Sequence, residues 1–474
     1  MPRKKSTTKK QPQKKVQAKK ATTKKKVVKK VDLKNVDPKK EKKKTKGPVY
    51  TTLRGMKDIL PKEGVMWQHL YHTAEDIAGA YGFSYIETPI LEQASLFVRS
   101  IGKGTDVVDK EMYIFEDKDG SKVCLRPEVT ASIARSYINH GMHTFPQPVK
   151  VWYWGQMFRH DRPQAGRYRQ FHQFGCETFG IQSPVVDAEL IAVAYNMLRD
   201  LGIETTVKIN SIGTPEDREN YIVELVGYLR SKRSYLSDES KKRINKNPLR
   251  VLDSKHEQDK AVMEEAPQIL DWLSDKSRGF FMSVLEYLDE AGVPYVLTPT
   301  LVRGLDYYTD TVFELYTEDD EGSQSALGGG GRYNGLVGQL GGEETPGSGF
   351  SLGIERVANI LKKQKEELEK QEDYKPEKPG GIFFAQLGEQ ACKRSLHLIE
   401  ELRRSGLRVY HNLAKSSLKA QLETADKLGV SNTLILGQKE VQDGTILIRN
   451  MESGIQEVVD QKKIVNTVQK LLAK

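Results

Sequence analysis

The stretch from Val151 to Gly180, VWYWGQMFRHDRPQAGRYRQFHQFGCETFG, concentrates side chains that could do chemistry. Arg159, Arg162, Arg167, Arg169 and Glu177 share it with Gln164, Gln170, Gln173 and His172, more polar function than a structural hairpin needs. An arginine at a strand end presents a rigid fork of N–H donors that matches phosphate or carboxylate. Phe171 among them offers a flat face for a base. Alternating aromatics, Trp152 and Trp154, precede a polar run holding Asp161, Pro163 and Gly166, and an apolar pattern resumes to Phe179. That reads as two antiparallel strands joined by a long loop. Taken singly, each arginine reads better as an ion pair than as a ligand contact.

Other segments add candidates. Leu301 to Glu314, LVRGLDYYTDTVFE, carries Arg303 next to Tyr307 and Tyr308, which on their own read as core residues of a strand. Ala326 to Leu336, ALGGGGRYNGL, has a glycine run without the following Lys and Ser/Thr of a Walker loop. Four glycines there let the backbone pass close under a substrate. Gly347 to Val357, GSGFSLGIERV, places Gly347 and Gly349 ahead of a helix holding Arg356. Cys124, Cys176 and Cys392 are far apart and odd in number, with no metal-ligand spacing, which fits a reducing cytosol. Cys176 beside Glu177 reads as a small buried hydrophobe rather than as a nucleophile.

The run FRHDRPQAGRYRQFHQ resembles motif 2 of the class II aminoacyl-tRNA synthetases in its histidyl-tRNA synthetase form. LVRGLDYYTDTVFE and ALGGGGRYNGL are similar to that family's own signatures, and GSGFSLGIERV to class II motif 3. The likeness spans roughly residues 50 to 474, and four ordered motifs are far more specific than one. The resemblance implies an ATP-dependent enzyme that activates histidine to histidyl-adenylate and passes it to the 3′ end of histidine tRNA. It implies catalytic roles for Arg159 and Arg303: Arg159 grips the α-phosphate and the carboxylate, and Arg303 stabilises charge. Arg356 would hold the γ-phosphate and Phe171 would stack the adenine. Glu177 would accept the imidazole N–H, Tyr308 would meet the other ring nitrogen, and Tyr307 and Tyr333 would line the pocket. Glu128, Thr130 and Gln173 would hold the α-amino group. Arg162 and Gln164 fall where the family reads the tRNA acceptor end, with a solvated loop as the other reading. Mg²⁺ accompanies ATP, with no protein metal ligands marked, and the helix, strand and Pro89 of a motif 1-like segment imply a homodimer. The sequence departs from the bacterial pattern at Thr309-Asp310, where Asn-Arg is usual, and in its four-glycine run with Asn334.

Composition bounds the rest. A chain of 474 residues with 38% hydrophobic content is too long for one core. The net charge of +10 is uneven: residues 1–47 hold 21 Lys/Arg against 3 Asp/Glu, so the remainder is net negative. This lysine-rich tail lacks the apolar surface to repay ordering and is expected to be disordered. It has neither the apolar core of a secretory signal nor the arginine-rich amphipathic pattern of an import sequence, and a cytoplasmic protein is expected. It reads as a solubilising tail, as a non-specific RNA tether, or as a nuclear address. No apolar run approaches a membrane span.

Along the chain, the spacing predicts a helix over 63–81, a strand over 84–89 stopped by Pro89, a hairpin of 113–115 and 122–125, and a helix ending near Asn139. After the 151–180 hairpin come a helix over 187–201 and a strand over 208–211. Residues 214–292 are charged and helical in spacing and read as an inserted subdomain. The expected fold is α+β: a catalytic domain over 48–213 and 293–361, built on an antiparallel sheet flanked by helices, with the insertion between them. A charged linker over 362–379 leads to a C-terminal α/β domain over 380–474, whose strands (382–386, 407–410, 433–436, 445–449) alternate with helices. Its anticodon-binding role is implied by the resemblance alone. The rival readings are a non-catalytic, histidine-sensing regulatory subunit related to the family, and a class II ligase for another amino acid.

Overall fold

The computed structural model describes residues 50–102, 105–163, 166–254, 256–317, 326–370, 380–414 and 417–472. The lysine-rich tail and Gln164 lie outside them, as does the second half of the 362–379 linker, residues 371–379. The chain divides into two units, Met1–Thr52 and Leu53–Lys474. Of the first only residues 50–52 are described, and all three are exposed.

The second unit opens with helix α1 (Pro61–Ala80), started by Pro61 at its first position and stopped by Gly82 at φ 75°. Strand β1 (Ser84–Tyr85) follows, then β2 (Leu91–Gln93), α2 (Ala94–Ile101), β3 (Tyr113–Glu116) and β4 (Lys122–Leu125). Strands β2, β4 and β3 form a small antiparallel sheet. The strand expected over 84–89 pairs only at Ser84 and Tyr85, in parallel with the first arm of the hairpin. Beyond it Arg126 pulls the chain inward, its Nη1 donating to the Thr88 carbonyl at 2.7 Å.

Helix α3 (Thr130–Asn139) leads to β5 (Val149–Phe158) and β6 (Gln170–Phe179), which pair antiparallel along their full lengths as the sequence predicts. After α4 (Pro184–Asp200) and β7 (Thr205–Ser211) the charged segment folds as α5 (Pro215–Ser231), α6 (Asp238–Arg243), α7 (Leu249–Leu252), α8 (Glu257–Glu264) and α9 (Asp275–Glu290). Strands β8 (Tyr295–Leu297), β9 (Thr309–Thr317) and β10 (Gly328–Arg332), helix α10 (Leu336–Gln339), strand β11 (Gly347–Gly353) and helix α11 (Ile354–Leu368) complete the body. Its sheet runs β1-β5-β6-β11-β10-β9-β7-β8, antiparallel except at its two edges, where β1 joins β5 and β8 joins β7 in parallel.

One face of this sheet is covered by helices. Leu70 and Ala74 of α1, Leu190, Ile191 and Ala194 of α4, and Val284 and Leu288 of α9 pack against Phe174, Cys176, Val207, Ile209, Phe313 and Leu315. Each fully buried aliphatic or aromatic side chain contributes about 1.5–3 kcal/mol. Cys176 is therefore a core residue rather than a nucleophile, and burial raises its thiol well above the ordinary value. The sequence grouped α9 with the insertion, but its apolar stripe of Phe281, Val284, Leu285 and Leu288 packs in the main core. The other face of the sheet carries a second core, in which Tyr221, Leu225 and Ile269 of the insertion share a cluster with Tyr307, Tyr308 and Tyr333.

The C-terminal part is β12 (Ile382–Gln386), α12 (Glu389–Arg404), β13 (Val409–His411), α13 (Leu418–Leu428), β14 (Asn432–Leu436), α14 (Gln438–Asp443), β15 (Thr445–Asn450), β16 (Gln456–Asp460) and α15 (Ile464–Leu472). Its mixed sheet, β13-β12-β14-β15-β16, is parallel through the first three strands and antiparallel beyond them. Separate apolar clusters form around Phe384 and Leu398, and around Phe383 and Ala425. No helix of the described residues is long and apolar enough to cross a membrane.

Candidate active site

Strand alternation sorts β6 into two jobs. Phe174 and Cys176 point into the helix layer, while Phe171 and Gln173 border a cavity on the opposite face and Glu177 lies beneath it. The cavity measures about 340 Å³, large enough for a small ligand. Arg159, Arg303 and Arg356 all line it, as do Glu128, Thr130, Phe171, Gln173, Tyr307 and Tyr308. Three guanidinium groups from positions far apart in sequence thus share one space. Tyr307 and Tyr308 can both border it because they precede β9, where strand alternation begins.

Arg159 stands at the end of the β5 arm. Its Nε donates to the Pro127 carbonyl at 2.8 Å, and its guanidinium lies 5.5 Å from the centre of the Phe171 ring. Arg303 sits in the loop between β8 and β9 with its guanidinium 5.3 Å from the centre of the Tyr308 ring, and its Nη1 donates to Glu314. Among the described residues its buried Nε–H has no acceptor. Arg356, in the first turn of α11, donates to the Ala326 carbonyl, and its Cγ lies 3.3 Å from where a Cβ on Gly166 would sit.

Below the cavity Glu177 is 1% exposed. Thr130 donates to one of its oxygens at 2.6 Å, and the Tyr333 hydroxyl donates to the other. Burial pushes the Glu177 carboxyl up to about 8, against the two hydrogen bonds that favour its ionised form. Glu128, whose Oε1 accepts from the Ala131 N–H at 3.1 Å, is pushed by burial to about 6. Tyr333 and Glu177 do not border the open cavity; they form the layer behind it. Thr130 borders it, but turns its hydroxyl to Glu177. Gln173 donates to Ser351 Oγ at 3.1 Å. Arg162 is exposed in the loop outside this cavity.

Several neighbours went unassigned in the sequence. Glu314 borders the cavity from β9, and its place within the LVRGLDYYTDTVFE segment was the available signal. Glu355 precedes Arg356; its carboxylate accepts the His172 backbone N–H at 2.9 Å and lies 2.8 Å from His172 Nδ1, tying α11 to β6. Glu111 and Asp253 also border the cavity, and no local pattern marks either one. No group of three or more His, Cys, Asp or Glu side chains among the described residues could hold a metal.

An antiparallel sheet that gathers arginines around one cavity, with motif 2 as a hairpin and motif 3 as strand and helix, defines a class II aminoacyl-tRNA synthetase. The sequence matches the profile of the histidyl-tRNA synthetase family over residues 55–216 and 219–357, and that of the anticodon binding domain over 382–471. A histidine–tRNA ligase of Halothermothrix orenii is 44% identical over 420 residues, 88% of this chain and 99% of that protein. The crystal structure of apo S. aureus histidyl-tRNA synthetase superposes with a TM-score of 0.73 at 33% identity, covering 89% of this chain and 100% of that one. A Bacillus halodurans protein described as an ATP phosphoribosyltransferase regulatory subunit/histidyl-tRNA synthetase superposes at 0.59 with 20% identity, over 82% of this chain and 98% of that one, a likeness of fold alone. The chain belongs to the histidyl-tRNA synthetase family.

Proposed function

We propose that this cavity performs both halves of histidine–tRNA ligation. A carboxylate oxygen of histidine attacks the α-phosphorus of ATP, pyrophosphate leaves, and a hydroxyl of the tRNA terminal ribose then takes the histidyl group from the adenylate. Two anions must approach each other, so the site has to neutralise both and hold them in line. The observation that carries the reading is the convergence of Arg159, Arg303 and Arg356 on one cavity. Arg159 bridges carboxylate and α-phosphate, Arg303 meets the developing charge, and Arg356 takes the γ-phosphate. Phe171 stacks the adenine.

Neutral imidazole has one N–H donor and one acceptor, and a pocket that satisfies both rejects isosteres that would leave its own groups unpaired. Glu177 is the acceptor and Tyr308 the donor. Glu128 and Gln173 hold the α-amino group, with Thr130 and Tyr333 fixing Glu177. Mg²⁺ would arrive on the phosphates of ATP, which supply most of its ligands. Arg162 and the neighbouring Gln164 contact the tRNA acceptor end.

The test is ATP–pyrophosphate exchange with each amino acid in turn. Exchange with histidine alone supports the reading; histidine binding without exchange would favour the regulatory subunit. Arg159→Ala and Arg303→Ala should each lower exchange by about 10²–10³-fold. A homodimer is supported by exposed apolar residues Leu91, Ile114 and Phe115 on the small β2-β4-β3 sheet, and sedimentation at one protomer mass would refute it. Three free cysteines support a reducing, cytoplasmic setting, which fractionation of cells would test.

A further inference from the structure

Arg303 stands in the loop before β9, whereas Arg356 is on α11 and Arg159 directly follows β5, its backbone N–H donating to the Arg169 carbonyl at 2.9 Å. What holds Arg303 is a side-chain assembly on the next strand. Glu314, at the middle of β9, accepts from Arg303 Nη1 with one carboxylate oxygen and from the Tyr316 hydroxyl, at 2.5 Å, with the other. Tyr316 is itself covered by Lys208 of the adjacent β7, whose Nζ lies 4.3 Å from the ring centre. Opposite Glu314 in the ladder stands Gly329, and a Cβ there would lie 2.8 Å from Arg303 Nη1 and 2.9 Å from Glu314 Cγ. The glycine run of β10 therefore leaves room for the guanidinium to lie across the sheet. The Tyr308 ring covers Arg303 in turn.

We infer that Glu314, braced by Tyr316, is a positioning residue for the ligation reaction: it fixes the plane of the Arg303 guanidinium so that its remaining N–H edge faces the reacting carboxylate and phosphate. The geometry supports orientation rather than charge balance alone. Both oxygens of Glu314 are committed, one to the arginine and one to the brace, so the carboxylate cannot swing without breaking a bond. Arg303 and Glu314 both line the cavity, so the guanidinium that Glu314 orients borders the space where the reactants would meet. A group that only neutralised Arg303 would have no need of the Tyr316 hydroxyl.

This inference rests on the ligase reading above. The experiment is steady-state ATP–pyrophosphate exchange with histidine, using the full chain and the variants Glu314→Gln, Tyr316→Phe, Arg303→Ala and the double variant of 303 and 314, with thermal unfolding of each. Glu314→Gln should lower kcat on the order of 100-fold, as a misplaced catalytic group does, while KM for ATP changes by less than about threefold. Tyr316→Phe, which removes one hydroxyl, should lower kcat by about tenfold with a melting temperature lowered by no more than a few degrees. In the Arg303→Ala background the Glu314 change should add nothing, because two residues acting through one another are not additive. Wild-type kcat in both Glu314→Gln and Tyr316→Phe, or losses that multiply in the double variant, would overturn the inference while leaving the ligase reading intact. Absence of histidine-dependent exchange in the unaltered protein would instead remove the reading on which it rests. Should Glu314→Gln fail to fold, the kcat of Tyr316→Phe decides.

Discussion

Glu177 holds its proton more tightly in the folded chain than in the unfolded one, because burial raises its carboxyl from 4.5 to about 8. Across that window the folded state binds the extra proton, so this group lowers stability progressively as pH rises from near 4.5 through 8. The consequence for substrate has the opposite sign. In the role proposed for Glu177, only the ionised carboxylate would accept an imidazole N–H while Thr130 and Tyr333 continue to donate to it. KM for histidine in the exchange reaction should therefore fall by about eightfold between pH 7 and pH 8.5. Glu177→Gln, which cannot titrate, should flatten that dependence, and an unaltered pH profile in the variant would exclude Glu177 as the titrating group. The imidazole of the substrate titrates below this range, so its own protonation does not imitate the effect.

Among the elements, the glycine strands have the most unusual task. Valine, isoleucine and aromatic residues fill most strands, whereas β10 reads GGGGR and β11 reads GSGFSLG. A Cβ at Gly330 would stand 2.0 Å from the Gly349 carbonyl oxygen, and one at Gly349 would stand 1.7 Å from a Glu177 oxygen. Strands without side chains contribute little packing, and a buried ion pair ties this part of the sheet to the helix layer. Arg332 at the end of β10 reaches Asp187 of α4 at 2.6 and 3.1 Å, with both side chains at most 1% exposed. Arg332 also donates to the carbonyl of Ser183 at 3.2 Å and to Asn334 Oδ1 at 3.1 Å. Asp187→Ala would leave that guanidinium buried without its counter-charge and should cost about 3–5 kcal/mol in urea unfolding. A loss below about 1 kcal/mol would mean that the glycine strands are held by other contacts.

At the scale of the molecule, the insertion and the site are joined by charge. Arg250 of α7 donates to the Gly304 carbonyl beside Arg303, and its other Nη lies 3.8 Å from Asp106. Arg243 of α6 lies 3.4 Å from the same aspartate. The body is net negative outside the first 47 residues, so if the lysine-rich tail is an RNA tether rather than a solubilising segment, it supplies the long-range attraction for a polyanion. Removal of residues 1–47 should leave histidine-dependent exchange unchanged. It should also weaken tRNA binding at low salt and reduce the slope of log affinity against log salt by several units. An unchanged slope would leave the tail as a solubilising segment.

By itself the sequence determined the family, the motif 2 hairpin and several of the residues that line the cavity, because each rests on local pattern. Arg159, Phe171 and Arg356 were legible from short segments that carry their own geometry: a strand end, a strand face, a helix start. Periodicity likewise placed α1, α4 and β12 within a few residues of where they lie. Only the tertiary structure decided which groups meet. That Thr130 serves Glu177, that α9 belongs to the main core and that Glu314 holds Arg303 all depend on contacts between distant segments, which leave no mark in local spacing. The glycine strands show the limit most clearly. Their sequence argues against strand on propensity, and they pair because the sheet and the cavity need backbone where any side chain would collide.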